Sequence, residues 1–95
     1  MYQLTFHRAV KKDLSKLEQQ LSVQLKTTHL AKIKQNPYHS EPLSHDLKGL
    51  WSYHFSHKGT QYRIVYEIYP ADRLVLVLMI GSRTGFYEAL RRRVG

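Results

Sequence analysis

Hydrophobic and polar residues alternate most cleanly between Trp51 and Tyr69, in the stretch WSYHFSHKGTQYRIVYEIY. Trp51, Tyr53 and Phe55 before the turn, with Tyr62, Ile64, Tyr66 and Ile68 after it, form one apolar set at period two. That pattern predicts a β-hairpin with one buried face. The other set is Ser52, His54, Ser56, Lys58, Arg63, Val65 and Glu67. It predicts an open surface carrying an imidazole, hydroxyls, a guanidinium and a carboxylate. Lys58-Gly59-Thr60 supplies the reversal, because glycine takes positive φ without strain. Two registers satisfy the pattern, one placing His54 opposite Arg63 and the other placing Ser56 there.

The remaining elements follow from the same reading. Tyr2 to Phe6 alternates weakly and predicts a short first strand. Val10, Leu14, Leu17 and Leu21 recur at helical spacing, which predicts a helix from His7 to about Gln20. Ser22 is a candidate cap for a second helix with Val23, Leu30 and Ile33 inward, a stripe that Leu25 fits poorly. Asn36-Pro37 ends it, because proline disfavours helical geometry in the residue before it. These two helices predict an αα-hairpin. Tyr38 to Lys48 reads as a loop, and Pro70-Ala71-Asp72 as a turn. Leu74 to Ile80, LVLVLMI, is continuously apolar, which predicts a strand buried on both faces. Thr84 is a candidate cap for a last helix through Tyr87, Leu90 and Arg91-Arg92-Arg93. The order is β-α-α-β-β-β-α. It predicts a small single α+β domain over residues 1–95, with an antiparallel sheet after the helices.

Composition narrows the function. Fifteen Lys and Arg against seven Asp and Glu give a net charge of +8, and the pI is ≈ 9.9. Such a balance favours a polyanionic partner, most simply nucleic acid. There is no cysteine, so no disulfide supplements the core. No apolar run reaches the roughly 18 residues of a membrane span, and the N-terminal stretch lacks the apolar segment of a signal peptide. A cytoplasmic protein with no membrane partner is expected.

Conventional catalytic signatures are missing: there is no serine–histidine–acid pattern and no glycine-rich phosphate loop. Nor is a metal or other cofactor expected. His54 and His57 point to opposite faces of one strand, while His39 and His45 sit in a loop without a cysteine or a helical histidine pair. Arg63 and His54 on the hairpin, Arg83 past the buried strand and Tyr87 about one helical turn beyond it suit chemistry on a phosphodiester. Guanidiniums hold two oxygens and stabilise charge growing on phosphorus. An imidazole, phenol or carboxylate moves protons. Each residue also has a purely structural account: Arg63 pairing with Glu67, Tyr87 as a core residue, His54 as a solvated strand position. Their conjunction on one face favours the chemical account. Lys48, Lys58, Arg91 and Arg92 add candidate contacts to an RNA backbone.

These residues carry a family resemblance. Tyr62-Arg63-Ile64-Val65-Tyr66, and Ile80-Gly81-Ser82-Arg83 followed by Phe86-Tyr87, resemble two blocks of the RelE branch of the RelE/ParE toxin superfamily, found in bacterial type II toxin–antitoxin pairs. Glu41-Pro42-Leu43-Ser44-His45 through Leu47, Gly49 and Trp51-Ser52 is similar to the YoeB branch. The resemblance implies RNA-cleaving roles for Arg63, Arg83 and Tyr87, and a general-base role for Glu41. Two departures stand out. Where the RelE branch presents two lysines, this chain has His54 and Ser56. The C-terminal catalytic histidine of the YoeB branch has no counterpart after His57. Either His54 or Glu41 is then the expected base.

The implied activity is a ribosome-dependent endoribonuclease that cuts mRNA in the ribosomal A site. The substrate 2′-OH attacks its adjacent phosphate without a metal, leaving a 2′,3′-cyclic phosphate or 3′-phosphate and a 5′-OH. Implied partners are ribosomal RNA, mRNA and a cognate antitoxin through which the complex contacts operator DNA. The same superfamily also admits a ParE-like inhibitor of DNA gyrase without nuclease activity, and a non-toxic homologue that only binds an antitoxin.

Overall fold

The computed structural model describes all residues, 1–95. Its elements are β1 (Gln3–Phe6), α1 (Val10–Ser15), α2 (Gln19–Gln24), a π-helical turn (Leu25–His29), α3 (Leu30–Gln35), β2 (Glu41–Pro42), β3 (Leu50–His57), β4 (Thr60–Tyr69), β5 (Leu74–Gly81) and α4 (Phe86–Val94). The strands form one sheet in the order β1-β5-β4-β3-β2. The architecture is the α+β domain expected, with one addition. β1 joins β5 in parallel, pairing Gln3 with Leu74 and Phe6 with Val77, so the sheet is mixed.

The helices differ from their predicted boundaries. α1 stops at Ser15, whose Oγ donates to the Lys12 carbonyl at 2.7 Å. The chain then breaks at Glu18, an extended residue preceding α2, and not between Leu21 and Ser22. From Gln19 to Gln35 it stays helical, so Ser22 caps nothing. Leu25 is fully buried and Val23 is 55% exposed, the reverse of the expected stripe. The π turn explains the reversal. It absorbs one extra residue between Leu25 and Leu30, which brings Leu21, Leu25, Leu30 and Ile33 onto one buried face. The same turn carries His29 inward, where its ring stacks on Phe55 with centroids 3.9 Å apart.

The hairpin adopts the register that sets His54 opposite Arg63. Lys58 and Gly59 both have positive φ, 51° and 81°, as a tight two-residue hairpin turn requires. Its apolar face behaves as the alternation dictates: Phe55, Ile64 and Tyr66 are buried against the N-terminal helices. The opposite face is not open. α4 lies over it, burying Val65 with Leu47, Leu78, Met79, Phe86 and Leu90 in a second cluster. β5 is therefore covered on both sides, as its apolar run implied. A bulge helps: Val65 pairs with Met79 and Tyr66 with Val77, so Leu78 has no partner on β4 and joins Met79 on the α4 side.

Two smaller expectations also change. Glu41-Pro42, within the stretch read as a loop, adds a two-residue edge strand in which Glu41 pairs with Ser52. α4 begins after Gly85, at φ 76°, with no side-chain cap, so Thr84 does not cap it. At its other end, Arg93 reaches Asp13 of α1. The guanidinium donates to both carboxylate oxygens at 2.7 and 2.9 Å and to the Leu78 carbonyl at 2.9 Å. Asp13 also accepts from the Ile80 amide at 3.0 Å. This nearly buried cluster fastens α4 over the sheet.

Candidate active site beneath the last helix

Two rows of cross-strand neighbours set the site. One runs Glu41, Ser52, Val65 and Met79 across β2, β3, β4 and β5; the next runs His54, Arg63 and Gly81. Residues two apart on a strand share a face. Ser52, His54 and Arg63 therefore project together, and Gly81 leads directly into Ser82-Arg83. α4 contributes Tyr87 from its first turn.

The side chains form a connected network. Glu41 Oε1 lies 3.2 Å from His54 Nε2. That nitrogen is also 3.1 Å from Ser52 Oγ, and Ser52 Oγ is 3.1 Å from the Tyr87 hydroxyl. An ionised carboxylate only accepts, so the network assigns the proton to His54 Nε2, shared between Glu41 and Ser52. Ser52 is 1% exposed and has both partners. The other end of the network is wet: the Glu41 side chain is 64% and that of His54 44% exposed. The hydrogen-bonded chain thus joins a solvent-exposed edge to a buried hydroxyl.

Arg63 stands next to this network and makes no ion pair. Its guanidinium carbon lies 5.4 Å from the Tyr87 ring centroid and 5.7 Å from that of Phe86. Its Nε is buried without a hydrogen-bond partner. Glu67, the partner of the structural account, instead accepts from the Tyr69 hydroxyl at 2.7 Å. A positive charge held by aromatic faces, with no carboxylate, keeps its attraction for an incoming anion.

Two clefts open on either side of this centre. One, about 410 Å³, brings Glu41, His54, Arg63 and Tyr87 together with Arg91. The other, about 430 Å³, adds Arg83 to Arg63, Tyr87 and Arg91. All five candidate catalytic residues therefore converge, with Arg63 and Tyr87 as the hinge between the clefts. The uncapped N-terminus of α4 borders the second cleft and adds the partial positive charge of its first amides.

The candidate RNA contacts are more dispersed. Arg91 lines both clefts but is paired with Asp46 at 2.6 Å. Arg92 is exposed and lines a third cavity with Asp13, Arg83 and Arg93, which meets the second cleft at Arg83. Lys58 sits at the hairpin tip, 3.2 Å from Glu18, which also holds His57 at 2.8 Å and whose pKa these hydrogen bonds lower. Lys48 is exposed outside both clefts. Ser52, the residue joining the two halves of the network, was not singled out from the sequence. Its position two residues before His54 on the polar face was the available signal.

Comparison with known proteins bears on the family and the fold. A family model described as "ParE-like toxin of type II bacterial toxin-antitoxin system" matches residues 4–91. Among solved structures, the chain is similar to one in the RelBE2 toxin–antitoxin complex of Mycobacterium tuberculosis. The identity is 25% and the TM-score 0.73, covering 86% of this chain and 91% of that one. It also shares its fold with isolated Escherichia coli RelE toxin, at 21% identity and TM-score 0.68 over 100% of both chains. A chain of the intact E. coli RelBE toxin–antitoxin complex gives 21% identity and TM-score 0.71, covering 88% of this chain and 99% of that one. No curated protein matches the chain.

Proposed function

We propose that this chain, which belongs to the ParE-like toxin family of type II bacterial toxin–antitoxin systems, is a ribosome-dependent endoribonuclease that cuts mRNA in the A site. The observation that carries the reading is an unpaired guanidinium, Arg63, beside a continuous Glu41–His54–Ser52–Tyr87 network. A toxin that acted only by binding has no need of a carboxylate–imidazole pair held beside an uncompensated cation.

The nucleophile is the substrate's own 2′-OH, which restricts the reaction to RNA. Arg63 and Arg83 hold the phosphate and stabilise its growing charge. In the Glu41–His54 pair the Nε2 proton is held toward Glu41, and the free lone pair of His54 Nδ1 takes the 2′ proton. Tyr87, hydrogen-bonded to Ser52 and with the Arg63 guanidinium over its ring, orients the guanidinium and the strand. Bond formation from O2′ to phosphorus is matched by cleavage of the phosphorus–O5′ bond, and O5′ takes up a proton from solvent as it leaves, giving a 2′,3′-cyclic phosphate and a 5′-OH. The residues supply both proton transfer and charge stabilisation, so the scheme needs no metal. The basic surface docks on ribosomal RNA. An antitoxin neutralises it, as the toxin–antitoxin complex from M. tuberculosis suggests by its composition, and carries the operator contacts.

The test is induction in cells followed by mapping of RNA 5′ ends, for wild type and Arg83→Ala. Cuts within translated codons are expected, ribosome-dependent and reduced about 10²-fold or more in the variant. Intact mRNA alongside stalled gyrase would overturn the proposal in favour of a gyrase-binding toxin.

A further inference from the structure

A further cavity, about 730 Å³, is distinct from the clefts that hold the arginines. It opens at the outer edge of β3, just past the point where the two-residue β2 ends. Glu41, Ser52 and His54 form one wall and are shared with the catalytic network; Lys32, Asn36 and His39 form the other. The groove and the cleft thus meet at Glu41 and His54. A strand bound across His54 enters one as it leaves the other.

We infer that this groove is a subsite for the nucleotide flanking the cleaved phosphate, with Lys32 taking a backbone phosphate and the Gln35 and Asn36 amides meeting the base. The inference rests on the nuclease reading for what lies in the adjoining cleft. Its chemistry is that of an RNA strand. Lys32 is exposed and has no acidic partner. The single acid in the lining, Glu41, is engaged by His54. Asn36 Oδ1 already accepts from the Tyr38 amide at 3.2 Å, which leaves its NH₂ as the free end. Such a donor set reads base edges and phosphate oxygens.

The wall is also built before any ligand arrives. The Pro37 carbonyl accepts from the fully buried Tyr66 hydroxyl at 2.6 Å, pinning the chain between Asn36 and Ser40. Tyr53, the one apolar lining residue, has its hydroxyl held 2.8 Å from His29 Nδ1. A preformed groove in which polar and charged side chains present their stems around one aromatic suits a nucleotide, whose base stacks on apolar surface while its edges and phosphate meet polar ends.

The experiment uses single-stranded RNA carrying a 2′-O-methyl group at the cleaved nucleotide, which cannot react. Affinity is measured by fluorescence anisotropy for a dinucleotide spanning the scissile phosphate and for versions extended by one nucleotide at either end. One extension should tighten binding to the wild type about tenfold, the scale of one charge-assisted contact. Lys32→Ala/His39→Ala should lose that gain and bind the dinucleotide as the wild type does. Both residues are exposed, so the variant keeps the wild-type melting temperature. The subsite is refuted if neither extension adds affinity, or if the variant keeps the gain. It is equally refuted if the variant loses affinity for the cognate antitoxin but not for RNA, since the groove is then a protein site. Cleavage of mRNA on programmed ribosomes is scored separately. Loss of the extension gain in a protein that cuts nothing would leave the subsite standing and remove the nuclease reading.

Discussion

Replacing Asp13 by alanine should destabilise the protein by about 3 kcal/mol, toward the lower end of the 3–5 kcal/mol seen when one partner of a buried ion pair is removed. Asp13 is 9% exposed, and its carboxylate accepts two bonds from Arg93 and one from the Ile80 amide. The substitution leaves Ile80 N–H without this partner and the Arg93 guanidinium with only the Leu78 carbonyl. Each lost charge-assisted bond is worth about 1.5–3 kcal/mol. The Arg93 side chain keeps 18% exposure, so water recovers part of the loss. For a domain of this size such a change lowers the melting temperature by roughly 12–24 °C. The double substitution Asp13→Leu/Arg93→Met should regain much of the deficit, because neither charge is then left buried alone. Urea unfolding of the wild type, Asp13→Leu, Arg93→Met and the double variant gives the coupling energy directly. A loss below about 1 kcal/mol in both single variants would refute the claim that this pair fastens α4. The consequence reaches the site, because α4 carries Tyr87 and Arg91. The single variants should also lose cleavage at temperatures where they remain folded.

Four further outcomes are expected. Arg63→Lys keeps the charge but loses the planar fork over the Tyr87 ring, and should lower single-turnover cleavage by about 10²-fold with little change in stability. A rate within twofold of wild type would argue against a guanidinium role. His54→Ala and Glu41→Ala should each slow the same step about 10²-fold; wild-type rates in both would remove the proposed base. Leu25→Ala should cost about 2–5 kcal/mol and Val23→Ala less than about 0.5 kcal/mol, and equal costs would contradict the π-turn register. Burial lowers the pKa of His29, with the nearby Lys32 adding to the effect. The folded state therefore resists its protonation. His29 contributes stability that is full above the unfolded value of about 6.5 and is lost as pH falls through that value to the lower folded pKa. His29→Phe should flatten this part of the stability–pH profile, and an unchanged slope would contradict the assignment.

Much of the fold was legible because its signals are local. Period-two alternation depends on the pleat alone, so the two faces of the hairpin and the inner position of β5 could be read residue by residue. Arg63, Arg83 and Tyr87 stand out as candidates because their types are unusual together, His54 because it lies on the hairpin's polar face, and Glu41 only through the resemblance of its stretch to the YoeB branch. The helical stripe misled for an equally definite reason. A constant 3.6-residue period assigns Leu25 outward, and one π turn changes the phase without leaving a mark in composition.

The hairpin alternation separated an apolar from a polar face but did not fix which of two registers it would adopt, or whether its polar face would stay open. Packing settled both. The observed register brings His54 beside Arg63, and α4 covers the face, burying Val65 and Ser52 while leaving the edge at Glu41 and His54 wet. The joins that complete the site span long separations: Ser52 to Tyr87 across 35 residues, and Asp13 to Arg93 across 80. No local pattern encodes such pairs. Each forms only where closure of the whole chain buries a polar group and leaves one partner within reach.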